Sequence, residues 1–151
     1  MIATKQLQRL RMKFILDFEP PKTTAQQSTR IRVINGHARA FKSKKGQLAV
    51  SDYLTMLLPH KPKEPFTGPV RLVIDFRWSF NKTEKKQDIE RGYKWHTSKP
   101  DCDNAAKMLK DCMTKAGFWL DDSQVVYLVV TKQRMKKGFV QIEIQSLGDD
   151  E

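Results

Sequence analysis

Residues 99–122, KPDCDNAAKMLKDCMTKAGFWLDD, leave the chain few conformational options. Ala105, Met108, Leu109, Cys112, Met113 and Ala116 fall at i, i+3, i+4, i+7, i+8 and i+11, the stripe of a helix with one buried face. Asp103 stands where an N-cap belongs, because a carboxylate there accepts from unpaired N–H groups of the first turn. Gly117 follows the last apolar position, where a left-handed residue ends a helix. The segment reads as loop, helix, stop, the apolar triplet Phe118-Trp119-Leu120, and then Asp121-Asp122. Folding both flanking loops to one side of a sheet would gather Asp101, Asp103, Asp121 and Asp122 in one place.

Clustered carboxylates raise one another's pKa or recruit a cation. Oxygen ligands with few histidines or cysteines beside them suit a hard ion, Mg²⁺ with Mn²⁺ as a substitute. Lys107 lies four residues after Asp103, one turn along the same face, where it can neutralise a carboxylate or steady a phosphate. An Asp before a helix is also the ordinary cap, and an Asp pair is also ordinary in a solvated loop. Spacing alone leaves both readings open.

The longer string KPDCDNAAKMLKDCMTKAGFWLDDSQVV resembles the signature of the RusA family of Holliday junction resolvases, small endonucleases, mostly of phages and prophages, that cut four-way DNA junctions. The likeness is strong over residues 99–132 and looser over 12–145. Its marks are a KPDxDN start, a lysine four residues after the second Asp, and a GFWxDD end. The resemblance implies an active site of Asp101, Asp103, Lys107 and Asp122, with Asp121 a less certain neighbour. Phosphodiester hydrolysis needs an activated water and a neutralised transition state, which Mg²⁺ held by Asp101, Asp103 and Asp122 would supply. Lys107, charged at neutral pH, is then a phosphate-facing cation. A homodimer with two sites matches the near two-fold symmetry of a junction that needs two opposed nicks, and the family resemblance implies it too. Ala105-Ala106 departs from the bulkier residues common after the Asn, and the first eleven residues have no obvious counterpart.

Charge agrees with a polyanion partner. The net charge is +11, and residues 1–60 carry 11 Lys/Arg against 3 acids, while residues 101–151 carry 7 against 9. The acids concentrate around the proposed site inside a basic protein, whose surface would attract DNA through its phosphates. Cys102 and Cys112 fit neither a disulfide framework nor a zinc pattern. No apolar run approaches the ~18 residues of a membrane span, and no signal peptide is evident, so no membrane association and a cytoplasmic location are expected.

Along the chain, residues 1–12 read as a peripheral extension, 13–147 as a single nuclease domain and 148–151 as an acidic tail. Residues 14–18 form a first strand. Residues 31–34 and 38–41 flank Asn35-Gly36 as a type I′ hairpin, with Arg30, Arg32 and Arg39 as candidate DNA contacts. A helix over 46–58 carries the apolar stripe Leu48, Tyr53, Leu54, Leu57 and Leu58. Residues 70–80 alternate with period two, and 81–100 read as a long functional loop in which Lys94, Trp95, His96 and Lys99 are further DNA candidates. The apolar strand after Asp122 is expected to be buried on both faces, and residues 139–145 complete a final hairpin. The fold class is α+β, a mixed sheet of about five strands with two main helices. Two other readings stay in view: a less selective Mg²⁺ nuclease on branched DNA, and a non-catalytic DNA-binding module. The second gains nothing from acids that repel its ligand.

Overall fold

The structure, a computed structural model, describes residues 10–24 and 29–148. Its strands are β1 (Arg11–Leu16), β2 (Thr29–Ile34), β3 (His37–Lys42), β4 (Val70–Ser79), β5 (Tyr93–Trp95), β6 (Val125–Met135) and β7 (Phe139–Ser146). Its helices are α1 (Lys44–Leu57), α2 (Lys86–Arg91) and α3 (Cys102–Ala116), with single 3₁₀ turns at Leu58–His60 and Asp122–Gln124.

The period-two pattern of β4 decides the layering. Val70, Leu72, Ile74, Phe76 and Trp78 are all fully buried on one face, while Arg71, Val73, Asp75, Arg77 and Ser79 alternate as half-buried residues on the other. At about 1.5–3 kcal/mol for each large apolar side chain buried, that strand is the backbone of the core. It sits centrally in the sheet β1-β7-β4-β6-β5, antiparallel to β7 and parallel to β6. Helices α1 and α3 pack against each other over this core. The indole N–H of Trp78 donates to the Pro20 carbonyl at 3.0 Å, so the buried ring keeps its polar atom satisfied.

The α+β class and the two main helices are as expected, with differences in detail. The hairpin β2–β3 stands as its own two-stranded sheet, and β5, from the stretch read as loop, is the fifth strand of the main sheet. Asn35 (φ 52°) and Gly36 (φ 78°) both take positive φ, as a type I′ turn requires. The first strand starts at Arg11, and α1 begins at Lys44 with Ser43 Oγ accepting from the Gly46 N–H. Its buried face is Gly46, Ala49, Tyr53 and Leu57. Leu48 and Leu58 are exposed, because the stripe turns with the 3.6-residue period away from both. Most of residues 1–12 and of the acidic tail lie outside the described residues.

Leu109 is fully buried and Leu48 is 64% exposed. Leu109→Ala should therefore cost about 2–5 kcal/mol in urea unfolding, whereas Leu48→Ala should stay within about 0.5 kcal/mol of wild type. Equal costs would mean that the assigned faces of α1 and α3 are wrong.

Candidate functional site

Helix α3 carries seven buried residues, Ala105, Ala106, Met108, Leu109, Cys112, Met113 and Ala116, which fixes its rotation on the sheet. That rotation leaves Asp101, Asp103 and Lys107 exposed at its N-terminal end. The N-cap is Asp101 (φ −68°, ψ 153°) rather than Asp103, which lies in the first turn. The helix starts two residues before the expected Asp103 cap would place it, and Asp103 faces the positive end of the helix dipole from inside the turn. The Asp101 side chain makes no capping hydrogen bond. None of Asp101, Asp103, Lys107 and Asp122 enters an ion pair among the described residues.

The loop that delivers Asp101 is held from below. The Lys132 ammonium on β6 donates to the carbonyls of Ser98 (2.7 Å) and Pro100 (2.6 Å), across a cis Lys99–Pro100 peptide. Beside it, Glu84 pairs with Lys94 and lies 3.7 Å from Arg134, and Arg134 Nη1 donates to the Ser79 carbonyl. The hydrogen bond from Lys94, ahead of the burial that opposes it, holds the Glu84 carboxyl below its ordinary range. These contacts tie residues 84–100 to the sheet.

The DNA candidates of this stretch divide accordingly. Trp95 is 60% exposed and Lys99 is exposed, both free to meet a ligand. Lys94 is engaged by Glu84. His96 is not the surface residue expected of a loop: its ring is buried against Trp78, centroids 4.8 Å apart, and Nδ1 has no hydrogen-bond partner. Burial first, then the cations of Arg134 and Lys132, push its pKa down to about 4.

The other acids sit at the far end of α3. Gly117 (φ 90°) closes the helix, and the chain passes through Phe118 and Trp119, both buried, into Asp121. Asp121 Oδ1 accepts from the Ser123 N–H at 2.8 Å, while Gln124 Oε1 accepts from the Leu120 and Asp121 N–H groups, a capping box. The Ser123 N–H holds the Asp121 carboxyl low. Asp121 is thus spent on the turn, with Asp122 beside it. With Asp111 and Lys115 they line an open pocket of about 350 Å³.

Fifteen residues of helix span about 22 Å at 1.5 Å each, so a single chain keeps Asp101 and Asp103 well apart from Asp122. Contacts along β6 say the same: Cys102 Sγ lies 4.0 Å from the Val130 carbonyl and Lys132 reaches Pro100, whereas Asp122 precedes Val125 at the start of the strand. No group of three His, Cys, Asp or Glu able to hold a metal exists among the described residues. The single cluster expected from the sequence does not form within one chain. Sequence reasoning also missed Lys132 and Arg134. Their signal was two cations on the inward register of β6, in line with Leu128 and Val130.

The free edge of β6 is the remaining feature. One side pairs with β4 over its whole length, but β5 covers only Gln133–Met135 on the other. Val126, Tyr127 and Leu128 are 63%, 50% and 42% exposed. This corrects the expectation of a strand buried on both faces, since the neighbour that would bury it ends after three residues.

Comparison with known proteins bears on this site. The family model described as Endodeoxyribonuclease RusA matches residues 19–145. The chain is 37% identical over 134 residues to the crossover junction endodeoxyribonuclease rusA of Lactococcus phage r1t, covering 88% of this chain and 98% of that protein. It is 29% identical over 142 residues to the uncharacterized protein YqaN of Bacillus subtilis strain 168, covering 91% and 97%. A shorter match, 47% over 51 residues, is to the crossover junction endodeoxyribonuclease RusA of Escherichia coli K12, covering 33% of this chain and 42% of that protein.

Two outcomes test how the site is held. His96 binds a proton less readily folded than unfolded, so its contribution to stability is complete above about pH 6.5 and is lost as pH falls toward 4. His96→Phe, which keeps a ring on Trp78, should flatten the fall in urea midpoint across that window. Lys132→Met should speed amide exchange in residues 97–103 by about tenfold or more, as loss of charged hydrogen bonds predicts, and leave exchange in β4 unchanged.

Proposed function

The chain belongs to the RusA family of endodeoxyribonucleases, and from that premise we propose that it resolves four-way DNA junctions as a homodimer, by paired symmetric nicks that depend on Mg²⁺. The observation that carries the dimer is the separation of the acids, two at one end of α3 and Asp122 at the other, next to an unpaired apolar edge. A long exposed apolar edge is a template for another strand. Pairing β6 antiparallel with its own copy across residues 126–131 generates a two-fold axis and a continuous sheet through both chains. In that register the start of one β6, preceded by its Asp122, falls beside residues 130–132 of the other, the stretch on which Pro100 and Cys102 rest. Each site then draws Asp101, Asp103 and Lys107 from one chain and Asp122 from its partner.

The donors fit a hard divalent ion in kind, being carboxylate oxygens free of competing ion pairs, and they reach three in number only across the dimer. Asp101, Asp103 and Asp122 of the partner subunit would hold the ion. When bound it supplies charge neutralisation and an acidified water for phosphodiester hydrolysis. Lys107, one turn from Asp103, holds a phosphate oxygen electrostatically. Exposed Trp95 and Lys99, on the loop that enters the site, give the strand a stacking face and a cation. The exposed Arg30, Arg32 and Arg39 extend the basic track, and the net charge of +11 draws the junction in. A binding module without chemistry would leave uncompensated carboxylates facing phosphate, which disfavours that reading.

Mixed dimers test the proposal. With a synthetic junction and Mg²⁺, Asp101→Asn and Asp122→Asn should each cut at least about a hundredfold more slowly than wild type. Mixed together after co-refolding, they should regain nicking, because one site in each heterodimer is then intact. A single-chain site predicts no recovery, and cutting in EDTA would remove the metal from the proposal.

A further inference from the structure

The hairpin β2–β3 has two unlike faces and no neighbouring strand. Its register opposes Arg30 to Phe41, Arg32 to Arg39 and Ile34 to His37, alternating with Ile31 opposite Ala40 and Val33 opposite Ala38. Because opposed residues share a face and successive ones alternate, three arginines and His37 lie on one side together with Ile34 and Phe41. Ile31, Val33, Ala38 and Ala40 lie on the other, with Lys42 at its root. Ile31 and Val33 are 74% and 73% exposed. The arginines form no ion pair among the described residues; Arg32 instead lies over the Phe41 ring at 5.9 Å. At the hairpin's root Arg30 shares an open pocket of about 430 Å³ with Lys22 and Lys45, continuing the cationic face onto the body of the protein.

A two-stranded ribbon with an uncovered aliphatic face is marginal in water, so this face is built to be covered. Charge selects the occupant. A second copy of a +11 chain would bring its own cations to a ribbon already carrying three arginines. DNA supplies both complements at once: phosphates for the arginine face, and base faces for the apolar one. A ribbon with strands about 4.8 Å apart enters a major groove about 12 Å wide, and aliphatic side chains inserted at base steps unstack and kink DNA elsewhere. In continuous duplex the base faces are hidden by stacking. Where four arms diverge they open at lower cost.

We propose that the hairpin is a branch-point wedge: its arginine face grips backbone without regard to structure, and Ile31 and Val33 cover base pairs unstacked at the centre of the junction. The device rests on the junction reading above and makes the apolar face, rather than the arginines, the determinant of preference for branched over linear DNA.

The test uses the full chain with Ca²⁺ in place of Mg²⁺, measuring affinity for a four-way junction and for linear duplex of the same sequence at fixed salt. A 2-aminopurine at the junction centre reports unstacking. Ile31→Ser with Val33→Ser should lower the junction preference about tenfold or more, abolish the fluorescence rise on binding, and leave duplex affinity within about twofold. Arg32→Ala with Arg39→Ala should weaken both substrates alike and reduce the salt slope by about 2. Both positions are solvent-exposed, and an unchanged melting temperature checks the fold; Ile31→Ala with Val33→Ala offers a milder truncation giving the same direction. Retained preference and fluorescence in the serine variant overturn the wedge. So does a shift from dimer to monomer in sedimentation with preference intact, which would give the apolar face to a second copy. A wild type without junction preference sinks the endonuclease reading itself, and the wedge with it.

Discussion

Parallel pairing of β4 with β6 is the constraint from which the rest of this molecule follows. Two parallel neighbours cannot be joined by a turn; the chain must travel back along the sheet before it can enter the second strand in the same direction. Residues 80–124 make that return, and its last leg is α3. The helix therefore runs opposite to β6, its N-terminus near the middle of the strand and its C-terminus near the strand's beginning. Acids placed before and after such a helix are separated by its length. What looks in sequence like one motif with two halves is, in a single chain, two groups of acids at opposite ends of a helix.

The loop that enters α3 rests on two cations of β6, Lys132 half-buried and Arg134 buried. Lys132 and Arg134 occupy the inward register of β6 where Leu128 and Val130 precede them, and cations there are costly unless their protons are all received. The Ser98 and Pro100 carbonyls accept from Lys132 and the Ser79 carbonyl from Arg134, whose charge is also faced by Glu84 at 3.7 Å. Burial, with the same cations, keeps His96 neutral, which lets the imidazole pack at a tilt against Trp78. Lys132 thus holds the loop through two of its carbonyls, and Asp101 and Asp103 stay exposed beside it.

Legibility in the sequence followed the range of the interactions. The stripe of α3, its stop at Gly117, the alternation of β4 and the Asn35-Gly36 turn depend on neighbours within a few residues, and each formed where the pattern put it. Burial of Val126, Tyr127 and Leu128 depends on elements distant in sequence, and the apolar string alone suggested a strand buried on both faces. β5 stops too soon for that. His96 was misjudged for the same reason, since nothing local says that residues 93–96 join the sheet edge. The acids of the motif were visible in the sequence, and their division between the two ends of a helix was not, because spacing in sequence does not state which direction a crossover takes.

These two surprises explain each other. An edge strand left apolar invites aggregation, and proteins ordinarily protect it with charge, proline or a covering element; residues 125–130, VVYLVV, have none of these. Carboxylates without a cation lie beside the same strand, Asp101 and Asp103 near its middle and Asp122 before its start. The proposed antiparallel pairing of the edge with its own copy would answer both at once: it satisfies the free backbone groups and sets the start of one β6 beside the middle of the other. On that proposal, assembly and completion of the acids are one event, because the Asp101–Asp103 pair of an isolated subunit lies a helix length from its own Asp122.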